Sequence, residues 1–161
     1  MYNNLSILPM IQRVQSLYWF LATALLSVFY FVSFAYIKTA DASINLSVFH
    51  GVVATPEGSY PAHLFWPLQG GAILAVLVTL VTIFCFKRRA LQLRLSGIAM
   101  VLDIGLLALA YFYYHSVAVE VEGLSTLSIS YVLPLIAAIL TLLGYLGVKK
   151  DIAILRSLSR L

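Results

Sequence analysis

Apolar residues gather along the chain in four stretches, at 17–37, 64–86, 95–114 and 131–148, with most charged residues confined to the segments between them. A helix rising about 1.5 Å per residue needs about 20 mainly apolar residues to cross a hydrocarbon core of about 30 Å, and each stretch comes close to that. The pattern predicts an all-α membrane protein: one domain over 1–161, built as a four-transmembrane-helix bundle. The composition agrees, with 62% hydrophobic and 10% charged residues and a mean hydropathy of +0.99, far from soluble averages.

Polar positions inside the stretches say how the helices meet. Lipid is as apolar as Leu, so helices in a membrane associate through small residues and side-chain hydrogen bonds. The second stretch carries Gly71, Ala75, Thr79 and Thr82 at helical spacing, the third Ser96, Ala99, Asp103 and Ala110, the fourth Ala137, Thr141 and Gly144, and the first Ser16, Thr23 and Ser27. These stripes are read as packing faces, with a pore lining as the alternative. Asp103 stands apart as the ionisable residue deep in a span, about 12 Å past the inner boundary. No Lys, Arg or His inside the spans can pair with it. It is expected as a neutral acid hydrogen-bonded to Thr23, Thr79, Thr82 or Thr141, with a proton or cation site as the functional alternative.

Charge sets the orientation. Nine of the ten cations, Arg13, Lys87, Arg88, Arg89, Arg94, Lys149, Lys150, Arg156 and Arg160, fall on one side of a four-span topology, leaving Lys38 on the other. The positive-inside rule makes the first side the cytoplasm and places both termini there. These cations are candidate contacts for lipid or for a partner protein, and their placement beside the spans argues against nucleic acid as the reason for the net charge of +4. Tyr18, Trp19 and Tyr145 are expected at the inner headgroups, and Tyr36, Trp66, Tyr113, Tyr114 and Tyr131 at the outer ones. Ala40-Asp41-Ala42 looks like a small-residue cleavage site, but a signal h-region runs about 7–15 residues, so the first span is read as a retained helix. Cys85, the single cysteine, has no disulfide partner in the chain and packs as a small hydrophobe.

Outside the membrane, residues 44–49 and 117–122 alternate apolar and polar side chains, and Glu122-Gly123 turns toward 124–129, which repeats the pattern. A small outer β-hairpin or sheet is predicted, with Pro56, Gly58, Pro61 and Pro67 forming an irregular return. His50, His63 and His115 lie near Glu57, Glu120 and Glu122 in sequence, yet no two of the histidines have the close spacing of a ligand pair, so they are read as surface residues and no metal is assigned. No haem attachment sequence, phosphate-binding Gly loop or nucleophile elbow is present, and no cofactor is assigned. After Val148 the tail carries Leu155, Leu158 and Leu161 among cations, which predicts a C-terminal amphipathic helix lying on the inner surface.

Met10-Ile11-Gln12-Arg13 before the first span, Phe86-Lys87-Arg88-Arg89 to Arg94-Leu95 between the second and third, and Arg156-Ser157-Leu158-Ser159-Arg160 in the tail carry a resemblance. From Met10 onward the chain resembles an uncharacterised four-helix inner-membrane protein family of Bacteroidota, which opens on Met-Ile-Gln-Arg and ends in an Arg-Ser-x-x-Arg tail. The resemblance implies the same topology, with residues 1–9 as an extension and Met10 as an alternative start. It carries no activity or catalytic residues, and Asp103 lies at none of these landmarks. Four helices under an outer sheet also resemble claudin-like proteins in shape alone, which assigns no function. The leading reading is a non-enzymatic accessory or scaffold subunit of a membrane complex, with other membrane proteins as partners. The alternative is a small transporter or channel component using Asp103, and an enzyme binding lipid or quinone between helices ranks third.

Overall fold

A computed structural model describes residues 7–39, 43–55, 65–121 and 124–158. The elements run α1 (Ile7–Phe31), β1 (Ser33–Lys38), β2 (Ser43–Ser47), β3 (Gly51–Thr55), α2 (Trp66–Phe84), a 3-10 turn (Cys85–Lys87), α3 (Arg89–Val121), β4 (Leu124–Leu127), a second 3-10 turn (Ile129–Val132) and α4 (Leu133–Leu158). All four helices are long and apolar enough to cross a membrane. The helices run up, down, up and down, with α1 and α3 each packed between α2 and α4.

What closes the bundle is a repeating seam. Buried positions fall at Gln15, Trp19, Ala22, Leu26 and Phe29 on α1, and at Leu68, Ala72, Ala75, Thr79 and Thr82 on α2. They continue at Gln92, Ser96, Ala99, Asp103, Leu106, Ala110, Tyr113 and Val117 on α3, and at Ala137, Thr141, Gly144, Val148 and Asp151 on α4. Steps of four and three alternate, the heptad spacing that keeps one stripe of each helix facing its neighbours. Cross-helix contacts fix the register: a Cβ on Gly144 would sit 2.8 Å from the Trp19 ring, one on Gly147 would meet Gln15 at 3.0 Å, and Gln92 Nε2 donates to the Thr82 carbonyl at 3.2 Å. Counting outward from these contacts, Trp19, Thr79, Ser96 and Gly144 share a level. Ala22, Ala75, Ala99 and Thr141 form the next, and Leu26, Ala72, Asp103 and Ala137 the one after.

The strands form one antiparallel sheet in the order β3-β2-β1-β4 at the end where α1 and α3 finish. Its buried side chains, Phe34, Ile37, Ile44, Leu46, Val48 and Val52, join the cluster that holds Phe29, Phe65, Leu68 and Val117, so the sheet caps the bundle. A backbone hydrogen bond from Phe49 N–H to the Tyr30 carbonyl at 3.0 Å ties the turn after β2 to α1, and one from Ser128 N–H to the Phe34 carbonyl at 2.9 Å extends the β1–β4 pairing toward α4. Gly51, at φ 70°, makes the turn from β2 into β3 in a left-handed conformation that side chains with a Cβ resist.

Several boundaries differ from the sequence reading. The first span ends at Phe31, and Ser33–Lys38 leaves it as a strand, because Phe-Ala-Tyr-Ile suits a pleated, half-buried surface as well as it suits lipid. Residues 117–121 are not a strand: α3 continues to Val121, with Val117 on its seam, and β4 pairs with β1 instead of forming a hairpin with them. The tail is no separate surface helix. With neither Gly nor Pro after Gly147 to break it, α4 runs unbroken to Leu158 and Asp151 faces the bundle. The expected strands at 44–49 and 124–129 do form, in shorter versions. Asp41, Pro56, Glu57, Gly58, Pro61, His63, Glu122, Arg160 and Leu161 lie outside the described residues.

Candidate functional site

The seam brings the predicted polar residues together but does not join them as expected. Thr79 Oγ1 donates to the Ala75 carbonyl, Thr82 Oγ1 to Val78 and Thr23 Oγ1 to Trp19, each at 2.8 Å. A hydroxyl in a helix reaches the carbonyl one turn back, and in an apolar interior this local bond satisfies the donor. Asp103 therefore has no such tether. Its side chain is fully buried, and among the described residues neither carboxyl oxygen has a hydrogen-bond partner. Thr141 Oγ1, on the neighbouring level, is also without a partner, as is the indole Nε1 of Trp19 on the level beyond. Acid, hydroxyl and indole N–H thus leave hydrogen-bonding capacity unused on the buried seams of α3, α4 and α1. Buried polar groups of this kind are rare and ask for an explanation.

Trp19 itself is a correction. Expected at the headgroups, it is fully buried, because its place in the seam points inward and Gly144 leaves the volume its ring occupies. Tyr113 is likewise buried, stacked on Phe65 at a centroid distance of 4.7 Å, whereas Trp66 is exposed. On α1 the hydroxyls Ser16, Thr23 and Ser27 are only half-buried, and the true packing face lies one position away.

Toward the end opposite the sheet a second polar group appears that the sequence reading missed. Asp151 Oδ2 accepts from Gln15 Nε2 at 2.9 Å and lies 3.9 Å from Arg89 Nη1, so a single carboxylate links α1, α3 and α4. The Gln15 contact is the firm one; the Arg89 separation is that of an ion pair without a hydrogen bond, and among the described residues its Nη1 finds no other acceptor. Heptad spacing was the available signal, since Gln15 and Asp151 extend the seams of Trp19 and Gly144. At this same end stand the exposed Arg88, Arg94, Lys149 and Lys150. Arg13, Lys87 and Arg156 are placed there by backbone alone.

Among the described residues no three His, Cys, Asp or Glu side chains converge as metal ligands. His50 stacks edge-on against Phe49, and His115 lies against Tyr111, both at the sheet end. No curated protein matches the chain. A family model does, the one described as Domain of unknown function (DUF4293), over residues 11–161, and the chain belongs to that family.

Proposed function

We propose that this protein is a non-enzymatic subunit of a bacterial inner-membrane assembly, crossing the bilayer four times with both termini in the cytoplasm, and that it scaffolds or braces its partners without performing chemistry. The observation that carries this reading is the close packing of the buried seam. Trp19 occupies the centre against Gly144, Ala occupies three of the four places on the next level, and the Thr hydroxyls of α2 are turned onto their own helix. Such an interior leaves the outward faces for lipid and partners, and those faces are apolar, with Val101 71%, Phe112 63% and Phe20 62% exposed. The gathering of cations at the end opposite the sheet supports a cytoplasmic placement of that end. The resemblance of the Met10 to Arg13 and Arg156 to Arg160 segments supports a Bacteroidota lineage.

A second reading rests on Asp103, whose two unpartnered oxygens suit a proton or cation site in a small transporter better than they suit a packing role. Purification of the tagged chain from its native membrane in a gentle detergent, with identification of co-purifying proteins, separates the two. Companions at fixed stoichiometry are expected. A monomer that conducts solute when reconstituted, and stops when Asp103→Asn is introduced, would replace the scaffold reading with the transporter.

A further inference from the structure

Outside the bundle seam, the flanks of α3 and α4 do not close on each other at the end opposite the sheet. A groove of about 410 Å³ opens there, floored by Leu93 and Ile152, with Ala90 and Ala153 keeping its walls low and Arg94 and Lys149 on its rims. Both cations are exposed. The nearest acid, Asp151, is turned to the bundle side and already engaged by Gln15 and Arg89, so it does not neutralise the rim pair. A soluble anion has no use for the apolar floor, and a neutral alkyl chain has none for the two cations. A phosphodiester attached to hydrocarbon uses both.

We infer that the α3–α4 groove is a binding site for one anionic phospholipid, its phosphate between Arg94 and Lys149 and the start of its acyl chains over Leu93 and Ile152. This rests on the membrane reading above. The side chains place the headgroup beside the last turns of α4 and the first turns of α3, where the Arg89–Asp151 ion pair links the two groove walls from the bundle side and Gln15 fixes Asp151 in place. The site thereby separates a specific lipid from the diffuse attraction that Arg88 and Lys150 exert on any anionic surface.

The test is native mass spectrometry of the full chain in mild detergent, titrated separately with phosphatidylglycerol, phosphatidylcholine and inorganic phosphate. The expected result is a 1:1 phosphatidylglycerol adduct, weakened about thirty-fold when Arg94→Gln and Lys149→Gln are combined and by less than about twofold when Arg88→Gln and Lys150→Gln are combined. Ala90→Trp, which fills the groove and keeps every charge, should abolish the adduct as well. Equal losses in the two double variants, an adduct that survives Ala90→Trp, no preference over phosphatidylcholine, or binding of phosphate as tight as that of the lipid would each overturn the site. A chain that is soluble without detergent would overturn the membrane reading itself, whereas a detergent-requiring chain with no lipid preference would remove the groove site alone.

Discussion

Gly144 shows how much one missing methyl group decides. A Cβ there would approach three atoms of the Trp19 ring at 2.8 to 3.0 Å, and the ring, enclosed on all sides, has no room to retreat. Gly144→Ala should therefore destabilise the bundle by about 1–3 kcal/mol, seen as a lower unfolding temperature in detergent. Gly105, whose Cβ position meets nothing within 4 Å, is the control: Gly105→Ala should be neutral or stabilise by up to about 1 kcal/mol. Asp103 calls for the opposite test. A carboxyl without partners contributes nothing by bonding, so Asp103→Thr, similar in volume and able to donate to the carbonyl one turn back, should leave the unfolding temperature unchanged or raised, and Asp103→Asn should preserve the fold. A marked drop for both would mean that the acid makes a structural contact after all. Asp103 was legible in the sequence because an acid in an apolar run is conspicuous. That three of its supposed partners, Thr23, Thr79 and Thr82, turn to the carbonyl one turn back was not, since the local bond and the interhelical bond require the same residue types.

At the level of elements, α2, α3 and α4 announced their packing faces because Gly, Ala, Ser and Thr stand out against Leu and Val. The face of α1 did not, since Trp19, Leu26 and Phe29 look like lipid-facing residues until Gly144 on another helix explains where the indole goes. The strand β1 was hidden for a related reason: apolar residues continue through the junction at Phe31, and hydropathy does not distinguish a central strand of a sheet packed on the bundle from the end of a span. The tail of α4 was misread because its amphipathic pattern fits a lipid surface and a bundle face equally, and Asp151 decides between them. A double-mutant cycle on Gln15→Ala and Asp151→Ala measures that decision. Each single variant should cost about 1.5–3 kcal/mol, and the double variant clearly less than their sum, because the two side chains share one hydrogen bond to a charged group. Additive losses would place the tail outside the bundle.

Taken as a whole, the molecule has two unlike ends joined by an apolar waist. The sheet end is closed by Phe34, Ile37 and Leu46 over Phe29 and Phe65, and the other end is tied by the Asp151 carboxylate and surrounded by cations. Hydropathy and charge counting were enough to find the waist and to sort the cations, because both depend on composition averaged over long segments. The register of the seam and the order of the strands depend on contacts between distant residues, which no local pattern records. A bilayer at the waist requires the two ends to lie on opposite sides of it. In a Cys85→Ala background, single cysteines at Arg88→Cys, Lys150→Cys and Thr126→Cys can be probed with a membrane-impermeant maleimide on intact spheroplasts and again after lysis. Labelling of the Thr126 position before lysis, and of the Arg88 and Lys150 positions only after it, is the expected result; equal labelling of all three in intact spheroplasts, or recovery of the chain in the soluble fraction, would contradict a membrane-spanning bundle.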